Sequence, residues 1–226
     1  MIKRKLSTGD IFTILINLVP LWGVWFNGWD PKQMFLIYCV ESIIVGLFNV
    51  LKMLIVTQVK KKDVWDENSG TEVSGYFFII FFIIHYGFFV SMQLMFFFGS
   101  SKIINVSNPI KALWALPSAM DGYAKALLWG FVGIYALRMV IEFIFSGEYR
   151  TISLGRLMFS PYMRIFVQQF VVIIGGFMLE FGAGKVFMLV FVIVKIFFEV
   201  IMNYDRVLAL AEKKRRIKEE IKNSGN

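Results

Sequence analysis

Long apolar runs separated by short polar segments make up most of the 226-residue chain. A helix of roughly 20 mainly apolar residues crosses the ~30 Å hydrocarbon layer of a bilayer, so each run predicts a transmembrane helix. The sequence therefore predicts an all-α fold, a polytopic membrane helix bundle of about six helices. The predicted spans are 10–25, 33–57, 76–98, 123–145, 164–181 and 186–204.

The polar segments between the runs predict the connections. Three lysines at 60–62 are followed by a polar loop over 63–75, and a second loop covers 146–162. Residues 100–122 have mixed character, and they predict either a short helix lying flat at the interface or the lining of a vestibule. The turn Gly182-Ala183-Gly184 makes the last two spans an antiparallel hairpin. Residues 1–205 thus form one transmembrane domain, and 206–226 form a charged tail.

The distribution of basic residues predicts the orientation. Of the 24 Lys and Arg residues, 16 fall on the side of the two termini, five fall on the other side and three lie within helices. Cytoplasmic loops carry an excess of Lys and Arg, so both termini are predicted to be cytoplasmic. The basic start Lys3-Arg4-Lys5 could imitate a signal peptide, but no small-residue cleavage site follows, which favours a retained first helix.

Composition narrows the classes of function. Apolar residues make up 58% of the chain and charged residues only 18%, against about a quarter charged in soluble domains. The net charge of +8 lies in loops and tails, so membrane topology explains it and we expect no nucleic-acid partner. With one cysteine, Cys39, and one histidine, His85, the chain lacks cysteine-based metal motifs and classical zinc sites.

Polar and ionisable residues inside the predicted spans are the residues that carry information about function. A charge at the bilayer centre costs about 2.5–3.5 kcal/mol on insertion scales, so such residues usually face the bundle interior, a wet cavity or a partner. Spacings of three, four, eight or eleven residues place several of them on shared helix faces. The candidate binding residues are Glu41, Asn49, Lys52, His85, Gln93, Arg138, Arg164, Gln168, Lys195 and Glu199.

Depth along the helices separates these residues into two levels. A rise of about 1.5 Å per residue places Asn49, His85, Arg138 and Lys195 roughly 10–14 Å from the cytoplasmic ends. Glu41 and Gln93 lie deeper, toward the outer half. We expect Glu41 and His85 to face the interior. We also expect Asn49, Lys52, His85, Arg138, Arg164, Gln168, Lys195 and Glu199 to converge on one cavity that opens toward the cytoplasm.

Each of these residues also has a structural explanation. The i, i+4 pairs Arg138–Glu142 and Lys195–Glu199 neutralise one another or extend toward the interface. His85 could be a hydrogen-bonded core residue, and Gln93 and Gln168 could join helices. Glu41 is hardest to explain structurally, because the nearest cation on its own helix is Lys52.

Several short stretches carry a family resemblance that covers most of the chain. They are Asn17-Leu18-Val19-Pro20-Leu21 with Gly28-Trp29, Tyr38-Cys39-Val40-Glu41, Phe48-Asn49-Val50-Leu51-Lys52, His85-Tyr86-Gly87-Phe88-Phe89, Arg164 through Gly175-Gly176, and Lys195 with Glu199. On these residues the chain resembles an uncharacterised family of prokaryotic multi-pass membrane proteins, classed as a domain of unknown function. The resemblance implies the plasma membrane of a prokaryote and no established activity.

The family pattern bears on metal chemistry. It favours an aromatic residue at the position of Cys39, often histidine at those of Gln93 and Gln168, and an acid like Glu199 near the end. Members that gather these groups would suggest metal or proton chemistry. This chain keeps His85, Glu41 and Glu199 but lacks the other two histidines, which argues against a histidine-rich metal site.

Three classes of function remain open. The first is a small transporter or channel for an ion or solute, with Glu41 and His85 relaying protons or binding a cation. Alternatively, Lys52, Arg138, Arg164 and Lys195 would hold an anion or an anionic lipid headgroup. The second is an intramembrane enzyme or binding protein acting on a lipid or quinone, although we find no Ser/His pair, cysteine nucleophile, HExxH or paired aspartates. The third is a structural or accessory protein. A homodimer is compatible with each class, and the sequence identifies no cofactor.

Overall fold

The computed structural model describes residues 8–66, 70–101 and 108–202, and it is a helical bundle as predicted. Its α-helices are α1 (Thr8–Phe26), α2 (Pro31–Lys60), α3 (Gly75–Ser101), α4 (Pro109–Ala119), α5 (Gly122–Arg138), α6 (Leu154–Phe159), α7 (Tyr162–Glu180) and α8 (Gly184–Ile196). Two π-helical segments continue α5 and α8, Met139–Phe145 and Phe197–Met202, and a 3₁₀ turn covers Glu148–Arg150. The strands β1 (Lys62–Asp66) and β2 (Thr71–Ser74) form a hairpin.

Within the part of the chain that the structure describes, four helical segments are long and apolar enough to cross a membrane. They are Pro31–Lys60, Gly75–Gly99, Gly122–Phe145 and Leu154–Gly175. The first predicted span corresponds to the shorter apolar helix Ile14–Phe26. The sixth begins as α8, but its predicted end at residue 204 lies outside the described residues, as does the charged tail. The helices are those of a membrane protein.

The connections gather at two opposite ends of the bundle. At the hairpin end, defined here as the end carrying β1 and β2, Lys60 Nζ donates to the Ile152 carbonyl (2.6 Å) and the Leu154 amide donates to Asp63 (2.6 Å). At the opposite end, Gln33 donates to the Ala119 carbonyl (2.7 Å), and the Trp29 and Tyr123 rings stack 4.9 Å apart. This grouping of loops agrees with the predicted topology, whose cytoplasmic orientation stays a prediction.

The hairpin replaces the loop predicted over 63–75. The β-branched or aromatic residues Val64, Trp65 and Val73 favour strand structure, and the two strands pair in antiparallel register from Lys62 opposite Ser74. Trp65 packs edge-on against Phe77 and Phe78 of α3, with ring centroids 5.0 and 5.4 Å away. The sequence contained these signals, but the three preceding lysines made the segment look like a solvated loop.

The mixed segment 100–122 contains a short helix, and its placement flat at the interface or along a vestibule stays a prediction. The Asn108 side chain accepts from the Lys111 amide (2.9 Å) and Pro109 occupies the first turn of α4, so a cap and a favourable first residue start the helix. Trp114 on α4 is 83% exposed. Residues 102–107 lie outside the described part of the chain.

The largest correction concerns the fifth predicted span. We placed its start at Arg164 after a loop, but Ser153 caps a helix whose span runs from Leu154 to Gly175, with a break at Ser160–Pro161. Asn49 of α2 donates to the Leu157 carbonyl (2.9 Å), which fixes α6 against the bundle. Arg164 therefore lies ten residues into this span, about 15 Å at helical rise, instead of at its end.

The second helix is the centre of the bundle. Its residues 33–42 are all buried, and α2 contacts α3, α5, α6 and α8. Aromatic rings fill the space beside it: Phe35 lies edge-on to Phe187 and Phe191 of α8, with centroids 5.2 and 5.5 Å apart. This packing leaves no room for a methyl group on Gly175 of α7, where an added Cβ would lie 2.2 Å from the Phe187 ring.

Gly175→Ala is therefore expected to destabilise the bundle. An overfilled core contact costs about 1–3 kcal/mol, and Phe187 cannot withdraw because Phe35 and Phe191 pack against it. Thermal unfolding in detergent, followed by reaction of the buried Cys39 thiol with a fluorogenic maleimide, measures the loss. The control is Gly133→Ala, where an added Cβ meets nothing within 4 Å. Equal unfolding temperatures for the two variants would contradict the prediction.

Candidate functional site

The site centres on a carboxylate buried in the middle of the bundle. Glu41 lies ten residues after the start of α2 at Pro31, about 15 Å along the helix. That distance is about half of the ~30 Å hydrocarbon layer. Its side chain is 2% exposed. The prediction that Glu41 faces the interior is confirmed.

Two cations from two other helices hold this carboxylate. The Arg164 guanidinium of α7 lies 2.5 Å from Glu41 Oε1, and the Lys195 ammonium of α8 contacts Oε2. The Lys195 side chain is 3% exposed and that of Arg164 is 16% exposed. Each carboxylate oxygen thus has its own cationic partner. Such charged contacts are stronger in a desolvated site than in water.

Neutral side chains complete the arrangement. The Tyr135 hydroxyl of α5 donates to Glu41 Oε1 (2.8 Å) and accepts from Arg164 Nη1 (2.5 Å). Lys195 also donates to Asn17 Oδ1 of α1 (2.6 Å), and its ammonium lies 4.3 Å from the centroid of the Tyr38 ring. We name Asn17, Glu41, Tyr135, Arg164 and Lys195 the Glu41 cluster. Four helices thus meet at one carboxylate, and α1 joins them through Lys195.

A second polar network lies beside the cluster and includes predicted residue Gln168. The Ser42 hydroxyl donates to the Gln168 side-chain oxygen, and the Gln168 amide reaches the Tyr38 carbonyl (3.5 Å). The Tyr86 hydroxyl of α3 donates to the Ser42 carbonyl (2.9 Å). These bonds tie α2 to α3 and α7 one residue away from Glu41, so they fix the rotation of α2 that turns Glu41 inward.

A family model decides what the chain is related to. It is described as "Family of unknown function (DUF6498)", and it matches residues 2–220. The chain belongs to DUF6498. The match covers the whole described helical bundle and confirms the resemblance seen in the sequence. No curated protein and no solved structure matches the chain.

In this DUF6498 protein, several predicted site residues lie apart from the cluster. Asn49 binds the Leu157 carbonyl, and the Lys52 ammonium lies 5.3 Å from the Phe143 ring, both toward the hairpin end. Gln93 is buried beside Cys39. Arg138 ends α5 in a half-buried position, and the side chain of Glu199 is outside what the structure describes.

The prediction that His85 faces the interior is wrong. His85 is exposed on the outer face of α3, where Nδ1 shares a 2.7 Å hydrogen bond with the Tyr162 hydroxyl and the ring stacks on Phe81. The α3 sequence is apolar on every side, so it has no polar stripe from which the inward face could be read.

The predicted single cavity, with Glu41 above it, is also corrected. The structure brings Arg164 and Lys195 to Glu41 and leaves Asn49, Lys52 and His85 elsewhere. Two physical reasons account for the error. First, the α6–α7 span begins ten residues earlier than predicted, so Arg164 lies deeper in the bundle. Second, Lys195 contacts both Glu41 and Asn17, so it lies at the depth of Glu41 and not below it.

Sequence reasoning missed Asn17 and Tyr135 as site residues. Asn17 is a polar residue inside an apolar helix, the same signal that selected Glu41, and it was noted only as part of a family motif. Tyr135 lies one turn before Arg138, and a tyrosine near a membrane surface is normally assigned to the interface. A search for all hydrogen-bonding groups would have found both.

An apolar groove of about 340 Å³ lies between α7 and α8 of the DUF6498 bundle. Its walls include Phe166, Phe170, Phe187 and Phe191. Within residues 8–66, 70–101 and 108–202, no three His, Cys, Asp or Glu side chains approach closely enough to hold a metal ion.

Proposed function

We propose that this DUF6498 protein is a small transporter in which the Glu41 cluster couples movement of an ion to movement of helices. The observation that carries the proposal is the meeting of α2, α5, α7 and α8 at one buried carboxylate, with α1 joined through Lys195. Intramembrane ionisable residues mark ion and proton pathways. Here the ionisable group is also the junction of the bundle.

The chemistry of the junction suits a switch. A proton bound to Glu41 removes the charge that holds Arg164 and Lys195, and an anion bound to these cations replaces the same contacts. Either event separates helices that the carboxylate had joined, because a ligand shifts an equilibrium by its differential affinity for two states. During the exchange, Tyr135 would remain hydrogen-bonded to Arg164, and Asn17 to Lys195.

The other two classes of function receive less support. A lipid or quinone enzyme needs a reactive group beside its apolar ligand, and the lining of the groove between α7 and α8 is wholly apolar. A purely structural role fits the burial of Glu41 and Lys195 and is the main competitor. The proposal also places the hairpin end in the cytoplasm, since Lys60, Lys61 and Lys62 lie there.

Ion flux in proteoliposomes tests the proposal, with H⁺, Na⁺ and Cl⁻ as probes and a fluorescent dye for each inside. The wild type is expected to move at least one ion faster than protein-free liposomes. A variant carrying Glu41→Gln, Arg164→Met and Lys195→Met is expected to fall to the protein-free level. The matched control is Glu72→Gln, which neutralises an exposed carboxylate on β2, outside the membrane-spanning segments.

A structural role gives the opposite results. Flux equal to that of protein-free liposomes for every probe would leave the Glu41 cluster as a packing device. Flux retained by the neutral variant would show that ions cross elsewhere.

A further inference from the structure

Three of the helices that hold Glu41 are irregular within four residues of their cluster residue. Helix α5 becomes π-helical at Met139, four residues after Tyr135. Helix α8 becomes π-helical at Phe197, two residues after Lys195. The α6–α7 span breaks at Ser160–Pro161, three residues before Arg164. Such turns often mark functional sites in helices.

All three irregular turns lie on the same side of the cluster. Helix α5 starts at the opposite end, where Tyr123 stacks on Trp29, and runs toward the hairpin end. Helix α7 runs away from the hairpin end and α8 returns toward it. Each irregular turn is therefore between its cluster residue and the hairpin end.

The neighbouring helices are continuous over the same depth. Helix α2 runs unbroken from Pro31 to Lys60, and α3 from Gly75 to Ser101. These two helices pack along their length and form a frame. The irregular segments pack on the bundle core through buried side chains, including Phe143, Leu154 and Leu157. Polar contacts add to this packing, as where Asn49 binds the Leu157 carbonyl (2.9 Å) and Lys52 lies over the Phe143 ring (5.3 Å). Separating these segments from the frame uncovers apolar side chains, so the open arrangement is a minor state of the wild type.

Backbone geometry explains why these turns could bend. A π-helical turn and a proline both disrupt the regular i→i−4 hydrogen-bond ladder. Irregular backbone at membrane depth is tolerated where it is buried in protein or lines a cavity. Hinges are a few element-terminal residues that absorb changes in backbone angles. The three turns interrupt or end regular helices in this way, at a similar depth and next to one charge.

We propose that residues 139–159 and 197–202 form a gate that swings away from α2 and opens Glu41 to water at the hairpin end. The gate deepens the proposed transport function, on which it rests, by assigning the side from which the site loads. Release of Arg164 or Lys195 from Glu41 unlocks it, because both residues lie directly beside the turns. At its mouth, Lys60 and Asp63 hold the Ile152 and Leu154 backbone and act as a latch.

Two thiols on either side of Glu41 test the direction of opening, each compared with its own rate in the unopened protein because Ile37 is buried and Val45 is partly exposed. In a Cys39→Ala background, V45C and I37C each place one thiol four residues from Glu41, on the same face of α2 but on opposite sides of the carboxylate. Their reaction rates with a charged methanethiosulfonate reagent are measured in detergent, so both ends are accessible. The gate is opened in two independent ways. One is the variant that carries Glu41→Gln, Arg164→Met and Lys195→Met, and the other is Asp63→Ala at the latch.

The expected result is selective. The V45C thiol reacts about tenfold faster in both opened backgrounds, as when a minor state rises from roughly 1% to 10% of the population, and the I37C thiol does not change. Equal acceleration of both thiols, or acceleration of I37C alone, would overturn the gate. So would unchanged rates for both.

Backbone hydrogen exchange of the wild type provides a test without substitutions. Amides of 139–145 and 197–202 are expected to exchange faster than those of 41–52 in α2, and equal protection would contradict the hinges. The outcomes separate the two proposals. Selective reactivity of the V45C thiol without ion flux keeps the gate and removes transport, whereas flux without selective reactivity removes the gate alone.

Discussion

Replacing Glu41 by glutamine is expected to lower the free energy of unfolding by about 3–5 kcal/mol, the usual cost of removing one partner from a buried ion pair. The variant leaves the Arg164 and Lys195 charges inside the bundle without the carboxylate that contacts both. For a chain of this length, the loss corresponds to a fall of roughly 6–20 °C in Tm.

The measurement is the reaction of the buried Cys39 thiol with a fluorogenic maleimide during heating in detergent. The control, Glu148→Gln, removes a carboxylate from a partly exposed ion pair with Arg156 (3.6 Å), for which a loss of about 1 kcal/mol or less is expected. A Tm for Glu41→Gln that matches the control would mean that the carboxylate contributes little to holding the helices.

The second large effect is that Lys195→Met changes the free energy of unfolding in opposite directions in two backgrounds. Lys195→Met is expected to destabilise the wild type, because Glu41 and Asn17 lose a buried partner. In the Glu41→Gln background the same substitution is expected to stabilise, since it removes a cation that no longer contacts the carboxylate. Replacing a whole buried ion pair by apolar groups is often neutral or stabilising by about 1–4 kcal/mol.

A double-mutant cycle measures this reversal with four proteins, the wild type, the two single variants and the double variant. Coupling between Glu41 and Lys195 appears as the difference between the two effects of Lys195→Met. Lys32→Met, at the opposite end where Lys32 binds the Ser101 carbonyl (2.9 Å), is the matched control and should have the same effect in both backgrounds. Additive effects of Glu41→Gln and Lys195→Met would show that the two charges do not depend on each other.

The helical class and the inward position of Glu41 could be predicted because both follow from the cost of polarity in hydrocarbon. Apolar length predicts a helix, and an acid inside that length predicts an inward face. The rotation of α3 could not be predicted in this way. Its sequence is apolar all round, so nothing in its pattern turns His85 outward to Tyr162.

Partner choice across helices was beyond the sequence for a different reason. Spacing along one helix fixes which residues share a face, but the Glu41 contacts join residues far apart in the chain. The pairing of Glu41 with Lys195 depends on α8 packing against α2 and α1, and the pairing with Arg164 depends on the helical start at Leu154. Tyr135 belongs to the Glu41 cluster because α5 packs beside α2.

The long separations within the Glu41 cluster have a consequence for biogenesis. Glu41 precedes Lys195 by 154 residues, and Asn17 precedes it by 178. At a synthesis rate of about 5–20 residues per second, Glu41 is made roughly 8–31 s before Lys195. Until Arg164 is made, the newly inserted α2 carries an acid with neither of its two cationic partners, and Lys195 follows later still. A chain truncated before Arg164 therefore leaves the Glu41 carboxylate without a cationic partner in the bundle.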